Sequence, residues 1–387
     1  MMAPLIFGLS IGLIAYVLGG YPILLALYAR RFEKPIEKAE YYPRVSVVVP
    51  VRNGARWIEA KLRSLLASDY PAGLLDILVV SDGSIDGTNE LVANYGDPRV
   101  ALLALPPGGK AVAVTRGLAQ ITGDIVVLTD VRQEFHPQAI KRMMACFADP
   151  SVGVVTGELI IRQGHTLEEH QTGLYWRYEK CIRRNLNRID AMLGATGSIY
   201  AIRRELAAPV PEGILLDDVY LPFVIAFQGR RIYFEDQAKA YDLPTSLQSE
   251  FWRKVRTQAG VYQIIAAFPR LLWPGERRFL YFVSHKVGRL MVPFALLAVL
   301  MSSFMLPSPW KSVLIGAQAF FYMIAAVDPL VPERNPVKRL SAVIRAFVVL
   351  VAAAGCGVVV LFRPANQIWK ETKVERARAS EHAGLLN

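Results

Sequence analysis

Several things are scarce in this 387-residue chain, and each absence narrows its chemistry. Only three cysteines occur, Cys146, Cys181 and Cys356. They are odd in number and unpatterned, so neither a disulfide framework nor a cysteine metal site is expected, as in a reducing compartment. No G-x-G-x-x-G follows the first apolar β-branched run, and no G-x-x-x-x-G-K-[ST] occurs; the "GGK" at 108–110 is too short for a P-loop. Dinucleotide-binding and P-loop functions are therefore disfavoured. Charged residues make up only 20% of the chain against 53% hydrophobic, and mean hydropathy is +0.30, apolar for a soluble protein.

The apolar residues are clustered. Leu5 to Tyr28 carries no charge and is long enough to cross a bilayer as a helix. No A-x-A site precedes Arg30, which favours a retained anchor over a cleaved signal. Three more runs follow late in the chain: Leu290 to Leu306, Val313 to Val327 and Leu340 to Phe362. The net charge of +11 could suggest nucleic acid, but no nucleic-acid motif is present. Basic residues instead flank the apolar runs: Arg30, Arg31 and Lys34, then Arg277, Arg278, Lys286 and Arg289. This pattern predicts anionic lipid as a partner and a cytoplasmic domain between the runs. His285 is expected at the water–lipid boundary. Arg345 makes the last run the weakest, so it is expected to dip into the bilayer without crossing. The basic tail, with Lys370, Lys373, Arg376 and Arg378, is then expected in the cytoplasm.

Between the apolar runs, strand-like and helix-like segments alternate. "RVSVVVPVRN" (44–53), "LDILVVSDGS", "VALLAL" and "DIVVLTD" read as strands. "ARWIEAKLRSLLAS", with Trp57, Leu62, Leu65 and Leu66 at helical spacing, "DGTNELVANYG" and "GKAVAVTRGLAQIT" read as helices. Continuous apolar strands alternating with helices predict an α/β domain with a mainly parallel sheet. Ligands in such sheets bind beyond the C-terminal strand ends, where Asn53, Ser81–Asp82 and Thr129–Asp130 fall.

The segments "VSVVVPVRN", "VVSDGSIDGT", "GGKAVAVTRG", "VVLTD", "GATGSIYAIRR", "LLDDV" and "EFWRKVRT" lie in the order and spacing of the family 2 glycosyltransferases, which the chain resembles over about 43–257. The apolar flanks resemble the membrane-bound branch that includes cellulose, hyaluronan and exopolysaccharide synthases. The resemblance implies a GT-A (Rossmann-like) domain and divides the chain into an N-terminal transmembrane helix (1–30), the transferase domain (42–245), an amphipathic interfacial helix (246–275), two to three C-terminal transmembrane segments (276–363) and a basic tail (364–387). It implies inverting transfer from a nucleotide-diphosphate sugar, a UDP-sugar above all, to a glycan or lipid-linked acceptor, with synthase-complex subunits as candidate partners. Single transfer to a lipid, or a non-catalytic donor-binding subunit, are the alternatives.

Residue by residue, the resemblance assigns Asp218 as the base that takes the acceptor hydroxyl proton, with Asp217 beside it. Adjacent carboxylates repel, which can raise one pKa towards a base's working range. Pro50, Asn53, Asp82, Lys110, Asp130, Arg132, Arg253 and Arg256 are expected around the donor, with Asp82 on the base, Lys110 beside the nucleotide and Arg256 on the leaving diphosphate. Gly194, Ala195, Thr196 and Gly197 are expected beside the acceptor. Asp130 matches the first acid of a D-x-D motif and is the expected ligand of Mg or Mn. Arg132 stands where the second acid would be, and could itself supply the positive charge. Two departures occur in "FWRKVRT": Arg253 replaces the family's Gln and Thr257 its Trp, a residue that helps dock the acceptor in processive synthases. Phe251, Val255, Ala259 and Tyr262 form an apolar stripe expected to lie in lipid.

Overall fold

The computed structural model describes residues 2–161, 167–243, 247–332 and 335–362. The expectations for the 364–387 tail lie outside these residues.

Eight strands form one sheet in the order β3-β2-β1-β4-β7-β6-β8-β5. They are β1 (Val45–Val51), β2 (Leu75–Asp82), β3 (Val100–Leu105), β4 (Ile125–Leu128), β5 (Glu134–Phe135), β6 (Val152–Ile161), β7 (Tyr200–Arg203) and β8 (Arg231–Asp242). The first four pair in parallel, with β1 between β2 and β4. β7 then runs antiparallel to both β4 and β6, and β6 pairs in parallel with β8. β1 is apolar throughout because both its faces are covered. Val45, Val47 and Val49 point into one core and Val48 into the other. Its one buried hydroxyl, Ser46, is satisfied by Asp76 and by the Gly123 amide, both at 3.0 Å. The parallel half places the ends of β1, β2 and β4 on one edge, and the antiparallel β7 turns its preceding loop, 194–198, back over that edge.

Four helices are long and apolar enough to cross a membrane: Met2–Arg31, Phe279–Phe304, Trp310–Leu330 and Lys338–Leu361. Their outer faces expose large apolar side chains, among them Leu9, Leu297, Met301 and Phe320, as lipid-facing helices do. The first packs on the second, where the Tyr16 hydroxyl meets that of Ser284 at 2.8 Å.

Two sequence expectations are revised here, and the arginine behind a third gains a partner. Lys338–Leu361 is a full-length helix and the most apolar of the four. Arg345 lies 3.4 Å from the fully buried Asp328, which also takes bonds from Lys338 and Ser341, so its charge has a partner within the helical bundle. The Leu247–Ala267 helix does not turn its apolar stripe wholly to lipid. Val255 and Ala259 are buried in a cluster with Phe251, Trp252 and Ala353, so the stripe docks on the last apolar helix. His285 is buried rather than interfacial: its ring sits 6.2 Å from Tyr21, with Glu179 3.6 Å from Nε2.

Candidate active site

The centre of the site is an ion triad made by three distant segments. Lys110 opens the helix Lys110–Gln120, its entry set by Gly109 at φ +89°. Its Nζ lies 2.9 Å from Asp130 Oδ1, just beyond β4, and 3.1 Å from Asp217 Oδ1, in the first turn of the helix Asp217–Phe227. Burial alone would lower the Lys110 pKa, but Asp130, Asp217 and Asp218 outweigh it and the ammonium is held charged. Burial would likewise raise Asp130, yet Lys110, Arg256 and Arg132 together hold it below the usual carboxylate range. The Asp130 side chain is 42% exposed, so it stays open to solvent beside these charges.

Asp217 is almost fully buried and accepts the Tyr200 hydroxyl at 3.2 Å. Asp218 beside it is pushed up to about 6, first by burial and then by repulsion from Asp217, against the lowering effect of Lys110. The two neighbours thus have different surroundings: one is locked to a lysine and a tyrosine, and the other is a carboxylate raised towards neutrality.

The 194–197 loop clasps Asp218. The Gly197 amide donates to Asp218 Oδ2 at 2.8 Å, and the Ala195 amide to the Asp218 carbonyl at 2.7 Å. A Cβ on Gly197 would come within 3.0 Å of that same Oδ2, so the glycine allows the close approach. Gly194 has φ +133°, and Thr196 takes a bond from Arg183 and gives its amide to Thr156 at 2.9 Å. The loop expected beside the acceptor therefore also positions Asp218.

Other residues expected around the donor have contacts the sequence did not suggest. Asp82 is buried at the end of β2, and its carboxylate takes the amides of Gly108 and Gly109 at 2.6 and 2.9 Å. It thereby fixes the turn that carries Lys110. Asn53, at φ +53°, accepts the Ile85 amide at 3.0 Å and ties the β1 end to the β2 end. Pro50 lies within β1 opposite Val80. Arg132 is turned onto the buried Asp242 at the end of β8, at 2.6 Å, and Gln133 shares that carboxylate at 2.8 Å. One guanidinium nitrogen is thus held in an ion pair, while the Arg132 charge still helps to lower Asp130. Arg253 is paired with Glu250 one turn back, at 2.6 Å. Arg256 lies on the same helix, within electrostatic reach of Asp130, Asp218 and Asp217. Thr257, in the place of the family's Trp, folds its hydroxyl onto the Arg253 carbonyl at 2.9 Å.

As to a metal, the described residues hold no group of three or more His, Cys, Asp or Glu that could bind one. Asp130 nonetheless offers a hard, solvent-exposed carboxylate, and Mg or Mn at a diphosphate needs only one or two carboxylates when phosphate oxygens and water complete the shell. The donor set fits such an ion in that limited sense, with Asp130 as the protein's ligand.

Acids and a lysine gather at the C-terminal edge of a mainly parallel sheet that an antiparallel strand closes, and the sheet has the GT-A fold. The fold is shared with a mannosyltransferase from Pyrobaculum calidifontis solved with GDP-Man and Mn2+, at a TM-score of 0.69 and 23% identity, covering 90% of this chain and 98% of that one. Residues 46–209 match the Glycosyl transferase family 2 model, so the chain carries a domain of that type. It is 27% identical over 336 residues to an N-acetylglucosaminyltransferase of Rhizobium meliloti, covering 80% of this chain and 78% of the relative. It is 24% identical over 241 residues to the poly-beta-1,6-N-acetyl-D-glucosamine synthase of Staphylococcus aureus, covering 60% and 58%.

Proposed function

We propose that this protein is a membrane-bound inverting glycosyltransferase with its domain on the cytoplasmic face. It would move N-acetylglucosamine from UDP-N-acetylglucosamine to a growing glycan or a lipid-linked acceptor. The observation that carries this reading is the convergence of Lys110, Asp130 and Asp217 beside a carboxyl, Asp218, raised to about 6. The names of the bacterial relatives support the sugar.

In this reading the Asp218 carboxylate accepts the acceptor hydroxyl proton as that oxygen attacks the anomeric carbon, and the nucleoside diphosphate leaves from the opposite face. A base with a pKa near 6 is mostly ionised at neutral pH yet basic enough to draw the proton. Asp217 stays bound to Lys110 and Tyr200 and sets the field at Asp218. Lys110 and Arg256 supply positive charge as the diphosphate departs. Mg or Mn on Asp130, when bound, would neutralise diphosphate oxygens. Pro50, Asn53 and Asp82 line the strand ends on the nucleotide side, and the 194–197 backbone borders the acceptor.

Single transfer to a lipid-linked acceptor is a second reading, favoured by Thr257. Its small, self-bonded side chain offers no aromatic platform for a sugar chain. A screen of UDP- and GDP-sugars against extracted membrane lipids and chitin-type oligosaccharides tests both readings. Transfer from UDP-N-acetylglucosamine is expected, and donor turnover with none of the sugars would reject the enzyme reading in favour of a donor-binding subunit.

A further inference from the structure

The helix Ala55–Leu66 carries a lysine where its spacing calls for an apolar residue. Lys61 shares the buried face with Ile58, Leu62 and Leu65 and is itself 0% exposed. A flexible charged chain on such a face ordinarily snorkels to water. Here it runs inward, beneath the turn that joins β4 to β5. Its Nζ donates to Thr129 Oγ1 at 2.7 Å and to the Gln133 carbonyl at 2.5 Å, and lies 4.1 Å from the Phe135 ring centroid. The same Thr129 hydroxyl donates to the Ser198 carbonyl at 2.7 Å. Thr129 and Gln133 bracket the segment that presents Asp130 and Arg132, and Ser198 follows the loop that clasps Asp218.

We propose that Lys61 is a positioning residue of the donor site: its buried Nζ clamps both ends of the 129–133 turn, fixing where Asp130 faces the donor, and through Thr129 ties that turn to the loop beneath Asp218. The proposal rests on the reading that Asp130 faces the nucleotide sugar. Lys61 does not touch the donor and acts only through the turn. The turn has two anchors, because Arg132 and Gln133 hold it to Asp242 from the other side. An anchor confined to packing would be served by an apolar side chain of similar length, since burying an ammonium costs stability unless its bonds repay it. Lys61 is therefore expected to matter more for donor binding than for folding, because sites held to within about 0.5 Å depend on the groups behind them.

The test uses the full-length protein in detergent, titrated calorimetrically with UDP, and in parallel with GDP, in the presence of MnCl2. Lys61→Met keeps the length and removes the bonds. It is expected to weaken UDP binding about tenfold or more, since small misplacements of binding groups cost that much, while the melting temperature near neutral pH stays close to that of the wild type. Thr129→Val is expected to weaken binding in the same direction but less. The double variant should lose less than the product of the two single losses, because the variants share the Lys61–Thr129 bond, while the bonds to Gln133 and Ser198 are separate. Wild-type affinity in Lys61→Met, or losses that multiply in the double variant, would overturn the proposal. Should Lys61→Met fail to fold, wild-type affinity in Thr129→Val overturns it equally. A wild type that binds neither nucleotide rejects the donor-site reading, and this proposal with it.

Discussion

Replacing Asp218 by Asn should abolish transfer and yet make the protein more stable. The folded-state pKa is about 6 against an ordinary 3.8, with burial and the Asp217 charge as the causes. That is a shift of about two units, or about 3 kcal/mol at roughly 1.36 kcal/mol per unit. The sign follows from proton binding. Between the two pKa values the folded carboxyl keeps a proton that the unfolded chain releases. Stability from this group is therefore greatest below about pH 4, falls as pH rises to about 6, and carries the full cost above that. Asparagine is neutral, has nearly the same shape and can still accept the Gly197 amide. At pH 7.5 the variant should melt a few degrees above the wild type, a gap that closes as pH approaches about 4. Transfer should fall by about 10²-fold or more, with donor binding retained. Wild-type activity should in turn drop along a single-proton limb below about pH 6. Thermal melts across pH, with transfer measured on the same preparations, decide it. A variant that melts below the wild type at pH 7.5, or that turns over normally, would refute the reasoning.

Further outcomes follow from the same geometry. Lys110→Met removes the cation between Asp130 and Asp217, leaving the buried Asp217 without it; it should lower the melting temperature and weaken donor binding, and a thermal melt unchanged from wild type would contradict the triad. Asp130→Asn should raise the Mn2+ concentration needed for half-maximal UDP binding, and wild-type nucleotide affinity in excess chelator would show that no ion is needed. Asp328→Asn strips the charge partner of Lys338 and Arg345 in the helical bundle and should lower the melting temperature in detergent, whereas an unchanged melt would show that Arg345 needs no partner.

The parallel half of the sheet was legible because its strands are uninterrupted apolar runs that end in polar residues. A strand buried on both faces has no other pattern to show, and β1 is the clearest case. The antiparallel half was harder: β6, β7 and β8 mix charged residues among apolar ones, as in the Arg231–Asp242 strand, and so carry no clean period. Asp130, Lys110 and the 217–218 pair could be singled out by strand-end position and family resemblance, but their convergence is a tertiary fact. Tyr200, Asp242 and Arg183 come from segments far along the chain, and nothing local marks them. Lys61 did leave a signal, a charge inside the Ile58–Leu62–Leu65 stripe. The stripe read from sequence, Trp57, Leu62, Leu65 and Leu66, shares Leu62 and Leu65 with the buried face but omits Ile58, and so passes over Lys61. The 251–262 stripe was assigned to lipid because an apolar face looks the same whether bilayer or another helix covers it. Arg345 weakened the last apolar run only while Asp328, seventeen residues earlier, was not known to face it.

The most direct test of the account is transfer itself. Purified full-length protein in lipid nanodiscs, given UDP-N-acetylglucosamine labelled in the sugar, MnCl2 and extracted bacterial lipids or chitin-type oligosaccharides, is assayed for label in the acceptor fraction. The account predicts labelled acceptor with the wild type and essentially none with Asp218→Asn, although that variant still binds UDP. Equal labelling by the two proteins, or UDP binding by the wild type with no transfer from any nucleotide sugar tried, would contradict it.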